Sequence, residues 1–172
     1  PLLSQERDGF FFGLGLGYGS NWVNCNECDQ TRADGFAGFF KIGAHLNEKF
    51  SLAFESNGWF GSVERSDVWS SNWSAVGYFY PGGGNFYLRG GLGPAYLQAS
   101  FDGVGFGTRI ETAWGFGATA GIGYDFPVGF VAVLNPVINV NYGSYGTIRT
   151  PTGDLTGVNS LILQLALGLT FQ

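Results

Sequence analysis

The last eleven residues before the final glutamine, Leu161 to Phe171, alternate without a break. Leu161, Leu163, Leu165, Leu167, Leu169 and Phe171 take one phase, and Ile162, Gln164, Ala166, Gly168 and Thr170 take the other. A period of two is a β-strand, because successive side chains leave on opposite faces. Large apolar side chains occupy one face, and small or polar ones mostly occupy the other. Such a strand must set an unbroken row of leucines against something apolar.

Seven further segments read as strands. Phe10 to Ser20 alternates Phe10, Phe12, Leu14, Leu16 and Tyr18 with four glycines and Phe11. Phe36 to His45, Phe50 to Gly58, Phe86 to Leu97, Ile110 to Phe126 and Phe130 to Tyr142 follow the same rule. Val68 to Tyr80 has an ambiguous register, since Val76, Tyr78 and Tyr80 compete with Trp69, Trp73 and Phe79. A bulge is expected there. Pro136 interrupts its segment and predicts a bulge or a lost hydrogen bond, because proline cannot donate to a ladder.

Composition says what the apolar row faces. Charged residues are 12% and aromatics 17% of 172 residues, with 30 glycines. Soluble domains carry about 25% charged residues. No stretch reaches the ~20 consecutive apolar residues of a membrane helix. Strands that face lipid must satisfy every backbone group, and a closed barrel does so. A net charge of −5 excludes a nucleic-acid binder, which needs a basic face. The chain begins at Pro1 and contains no methionine, so removal of an export signal is expected.

The connectors support a barrel with two different ends. Asn47 to Lys49, Pro81 to Asn85 and Pro127 to Gly129 are short. Asn21 to Gly35, Trp59 to Asp67, Ser100 to Arg109 and Gly143 to Asn159 are longer and more polar. An even strand number places both termini at the short-turn end, with residues 1–9 as a segment on that side. Aromatics gather at both ends: Phe10, Phe12, Phe50, Tyr78, Tyr80, Phe86, Tyr124, Phe126, Phe130 and Phe171 near the short turns, and Tyr18, Trp22, Phe36, Trp59, Trp69, Tyr96, Trp114 and Tyr142 near the long loops. Two aromatic belts are what two membrane interfaces select. The expected fold is a single all-β domain, an eight-stranded antiparallel up-and-down transmembrane barrel with a narrow interior of small side chains.

Three stretches resemble a known family. Phe40 to Leu52 looks like the second hairpin region of the OmpA-like and OmpX-like eight-stranded outer-membrane barrels. Phe86 to Gly93 looks like their fifth strand, with Arg89 before a glycine run. Gln164 to Phe171 resembles their C-terminal assembly signal, carried by Gln164, Leu169 and Phe171. Ala166 stands where that signal usually has glycine, and Gln172 follows the aromatic. The resemblance covers Gly9 to Phe171. It implies a bacterial outer membrane, termini in the periplasm, long loops outside, outer-membrane lipid around the wall and the barrel-assembly machinery as a partner during insertion. Other envelope proteins are expected as further partners, and no cofactor or metal is implied.

Candidate chemistry is sparse. Lys41, Glu55, Arg89 and Glu111 fall on the inward phase, two positive and two negative. Buried charges demand pairing, so a structural plug of ion pairs is favoured over an exchangeable gate. Cys25 and Cys28 are the only cysteines and suit a local disulfide in an oxidising compartment. The CxxC pattern lacks the following His of a haem site and the further ligands of zinc. His45, the only histidine, is expected at the periplasmic end, which argues against serine–histidine catalysis at the outer leaflet. Gly13 to Gly17 lacks the βαβ context of a nucleotide loop. A structural or interaction role follows, with a narrow pore as the alternative and a lipid-modifying enzyme third.

Overall fold

The computed structural model describes residues 9–26, 28–63, 66–102, 108–129, 131–150 and 153–172. Among the described residues nine strands run in chain order: β1 (Phe10–Cys25), β2 (Cys28–Asn47), β3 (Phe50–Val63), β4 (Ser66–Phe79), β5 (Phe86–Asp102), β6 (Thr108–Tyr124), β7 (Phe126–Pro127), β8 (Ala132–Thr150) and β9 (Gly153–Phe171). All pairings are antiparallel. β9 returns to β1, and β6 meets β8, so the sheet closes.

The wall has eight staves, because β7 continues β6. Gly123 opposes Val137 and Phe126 opposes Leu134, which is one uninterrupted register. The gap between β6 and β7 puts Tyr124 opposite Pro136. That proline has no N–H to give, so the ladder lapses there without a bulge. The ambiguous register of β4 also resolves without a bulge: Phe50↔Phe79 to Val63↔Ser66 is continuous.

Closure fixes the tilt. A row of paired residues starting at Phe10 passes through Ala44, Leu52, Gly77, Gly90, Ala120, Val140 and Leu163. It arrives back on β1 at Ser20, ten residues higher. A stagger of that size goes with strands tilted about 40° and an interior just wide enough for side chains. From Phe86 to Tyr96 the strand runs about 33 Å, which rises about 25 Å at that tilt, the height of a lipid-facing band.

The lipid face is as expected on β1 and β9, where Phe10, Leu14, Leu16, Leu163, Leu165 and Leu167 are exposed. Three belt aromatics are corrected. Tyr78, Tyr80 and Trp59 point into the lumen and are buried. Phe11, Phe39, Tyr87 and Tyr145 are inward as well, so the interior is not lined by small residues alone. Inward glycines make room for these rings. A Cβ on Gly15 would sit 2.3 Å from the Phe39 ring, one on Gly61 2.5 Å from Trp59, and one on Gly123 2.3 Å from the Tyr87 hydroxyl. Phe130 falls outside the described residues.

The long connectors are also corrected, since most of their length is strand. β1 and β2 pair through the expected first loop as far as Cys25↔Cys28. β5 and β6 pair to Asp102↔Thr108, and β8 and β9 to Thr150↔Gly153. The tips of the first and last of these hairpins dock on each other, with the Asn26 N–H donating to the Thr156 carbonyl at 3.0 Å. Short turns close the other end. There the Asn47 side chain accepts from the Lys49 and Phe50 N–H groups at 2.9 and 3.0 Å.

Candidate functional site

The lumen has two tiers of opposite character. The lower tier lies within the lipid-facing band. Arg89 and Glu55 form an ion pair there, with side chains 2% and 0% exposed. Asn57 Nδ2 donates to Glu55 at 3.2 Å. Arg89 also donates to the Thr119 hydroxyl at 3.2 Å. Thr119 donates to Asn141 at 2.7 Å, and Asn141 to Gln164 at 2.9 Å. The run links β3, β5, β6, β8 and β9 across the barrel.

Lys41 opposes Glu55 in register. Its ammonium lies over four rings, at 5.4 Å from Tyr78, 5.8 Å from Phe11, 5.9 Å from Phe39 and 6.0 Å from Tyr87. Rings present their negative faces to a cation and replace part of its hydration. Glu55 and Asp125 are the carboxylates whose fields act on Lys41.

The structure therefore brings together Lys41, Glu55 and Arg89, and leaves out Glu111. Gly121 is the β6 residue opposite Arg89, and Glu111 opposes Ala99. Ten residues separate Gly121 from Glu111, about 33 Å of strand, so Glu111 stands at the far end of the barrel. The second carboxylate of the tier is Asp125, buried at 4% exposure and bonded to Asn135 Nδ2 at 2.5 Å. Asn135 in turn accepts from the Thr170 hydroxyl.

Three other sequence candidates have clear positions. His45 sits at the short-turn end, its Nδ1 2.7 Å from the Ser51 hydroxyl and its ring 4.7 Å from Phe11. Sequence reading missed this Ser–His pair. Ser51 is buried, and a nucleophile needs an open approach. Gln164 is inward, while Phe171 is on the outer face and stacks on Phe12 at 5.0 Å. Cys25 and Cys28 are cross-strand neighbours in register; the Cys28 side chain lies outside the described residues.

The upper tier is apolar. Ala33, Val68, Leu97, Ala113, Val158 and Ile162 pack with Trp59 and Tyr145 into one cluster. Trp59 Nε1 donates to the Gly19 carbonyl at 2.9 Å. The Tyr145 hydroxyl lies 3.0 Å from that of Ser70 and 3.2 Å from that of Ser160.

The outer surface changes character at the same height. Tyr18, Phe36, Phe60 and Trp69 form one cross-strand row, an aromatic ridge. Beyond it, Ser20 donates to Asp34 at 2.5 Å and Ser62 to Asp67 at 2.7 Å. Arg32 bonds both Ser20 and Asp34 through Nη2, at 3.1 and 3.3 Å, and lies 5.3 Å over the Trp22 ring. The Ser20 hydroxyl and then the Arg32 charge hold the Asp34 carboxyl below its ordinary 3.8.

No family model matches this chain, and no curated protein matches its sequence. Solved structures do match. Neisserial surface protein A is 17% identical with a TM-score of 0.61, covering 93% of this chain and 96% of that one. Ail, the attachment invasion locus protein of Yersinia pestis solved with the heparin analogue sucrose octasulfate, is 14% identical at 0.66, covering 94% and 99%. The outer membrane protein OprG of Pseudomonas aeruginosa is 15% identical at 0.52, covering 98% and 99%. The fold is that of the small eight-stranded OmpA-like and OmpX-like outer-membrane barrels.

Proposed function

We propose that this protein is a closed outer-membrane anchor that presents a rigid, protruding β-stalk to a partner, and that it works by contact rather than by transport or turnover. One observation carries the reading: the lumen is filled twice, by the ion–aromatic tier inside the lipid band and by the apolar cluster beyond it. In this reading the long hairpins are extracellular and both termini periplasmic. The segment 1–9, of which 1–8 lie outside the described residues, is periplasmic in the same reading, and Gln164, Leu169 and Phe171 guide insertion by the barrel-assembly machinery. Cys25 and Cys28 staple the first hairpin, which a mass measurement with and without reductant reads directly.

The partner differs in charge from a polyanion. Among the described side chains beyond the ridge, Asp34, Asp67, Glu111 and Asp154 stand against Arg32. That negative balance repels a sulfated sugar such as the one bound to Ail and favours a neutral or cationic surface. The alternative, a narrow pore, is supported by the buried amides of Asn21 and Asn139, which find no hydrogen-bond partner among the described residues. Planar bilayers distinguish the two. The anchor gives no stable conductance step at any voltage, whereas a reproducible open level would establish the pore.

A further inference from the structure

The tip of the first hairpin lies past the end of the continuous ladders. β1 pairs with β9 as far as Asn24↔Asn159. Its pairing with β2 runs unshifted to Val23↔Thr31 and shifts before Cys25↔Cys28, with Asn24 on β1 against Asp29 and Gln30 on β2. Such a bulge interrupts the ladder. Between the two cysteines stand Asn26 and Glu27. A two-residue hairpin turn prefers Asn-Gly or Asp-Gly, whose glycine takes the left-handed backbone without strain. Here glutamate stands in the glycine's place. Local chemistry therefore closes this tip only weakly.

Two features outside the ladder compensate. The first is Asn26, which reaches the last hairpin, between β8 and β9. Its N–H donates to the Thr156 carbonyl and its Nδ2 to the Thr156 hydroxyl, both at 3.0 Å. The receiving strand is shaped for this contact. Gly157 has a φ of +62°, and a Cβ there would stand 2.9 Å from the Asn26 side-chain amide. Asn159 Nδ2 donates to the Gly157 carbonyl at 3.0 Å. Val23, Cys25, Ile148 and Leu155 from the same two hairpins pack on the apolar cluster of the upper tier, so the contact caps that cluster. The second feature is the cysteine pair. Opposed residues of an antiparallel ladder have Cα atoms about 4.5–5.5 Å apart, inside the roughly 4.4–6.8 Å span of a disulfide.

We infer that this contact is a redox-switched clasp. The Cys25–Cys28 bond keeps Asn26 seated on Thr156, and a dithiol reductant releases it and uncovers the apolar upper tier. The S–S bond breaks, each cysteine sulfur gains a hydrogen, and the dithiol closes to its own disulfide. This rests on the staple proposed above. The test is amide hydrogen exchange, followed by NMR on the whole barrel in lipid nanodiscs, with and without dithiothreitol. The Asn26 amide exchanges about twentyfold faster after reduction, the loop-closure entropy of a ring of four residues. Amides of Phe10 to Ser20 keep their rates. Cys25→Ser combined with Cys28→Ser reproduces the fast rate without reductant. Gly157→Ala unseats Asn26 in the oxidised protein and abolishes the effect of the reductant. Heat-modified gel migration shows that each variant is folded. An unchanged Asn26 rate on reduction, in protein whose mass shows the disulfide, overturns the clasp and leaves the staple. A mass with both thiols free overturns both. Faster exchange throughout Phe10 to Ser20 also overturns the clasp, because the bond then holds the barrel and not the tip.

Discussion

The barrel is two objects end to end, and they are inverted relative to each other. Inside the lipid band β2 shows Phe40 and Ile42 outward and Lys41 inward. Beyond the ridge the same strand shows Arg32 and Asp34 outward and Ala33 inward. β1 repeats the exchange, from Leu14 and Gly13 to Ser20 and Val23. Between these rows the register of β1 with β2 runs unshifted, from Phe10↔Ala44 to Val23↔Thr31. What changes is the solvent, so the apolar face switches sides where lipid gives way to water. The height of that switch locates the membrane boundary on the protein.

The largest test lies in the lower tier. Glu55→Ala leaves Arg89 and Lys41 buried without their nearest carboxylate, and we expect a loss of about 3–5 kcal/mol in urea unfolding from lipid vesicles. A loss under about 1 kcal/mol would mean the tier is hydrated enough to screen itself. Next comes a matched pair on the outer face. Leu165→Arg, in the middle of the leucine wall, costs about 2–4 kcal/mol in the same assay, while Gln98→Arg, level with the aromatic ridge, costs about 0–1 kcal/mol. Equal costs would move the boundary or abolish it.

The smallest effect is electrostatic. Asp34 has a depressed folded pKa, so its contribution to the projecting half is present above the ordinary 3.8 and is lost as pH falls through the lowered value. Carboxyl NMR titration should give a midpoint below 3.8, and Ser20→Ala and Arg32→Gln should each raise it.

The inversion also explains what was legible in the sequence. Alternation gives the phase of each residue, and within the lipid band that sufficed for the faces of β1, β3 and β9. Beyond it the polar residues move outside, the apolar side chains inside are small or scattered, and the pattern reads as loop; the upper halves of β1, β2, β8 and β9 were lost that way. Phase also carries no height. Glu111 shares the face of Arg89, but the stagger of the wall, which no single segment encodes, sets them far apart. Asp125 falls near the end of the Ile110 to Phe126 segment, where alternation alone does not single it out, and the register across Pro136 makes it part of the lumen. End-of-strand position assigns the rings of Tyr78, Tyr80 and Trp59 to the belts; only the packing of Trp59 over Gly61, and of Tyr78 and Tyr80 against Tyr87, shows the reverse.

The seam between β1 and β9 has a kinetic meaning. It pairs Phe12 with Phe171 and Leu14 with Leu169, residues from opposite ends of the described chain. Every other seam joins staves that are consecutive in the chain, β7 counting with β6. The first-made strand must therefore wait, its hydrogen-bonding edge open, until the last is delivered. Such long-range closure is slow and leaves the intermediate exposed to wrong partners. The uninterrupted leucine row of β9, each residue matched to a fixed residue of β1, gives that late event one register to find.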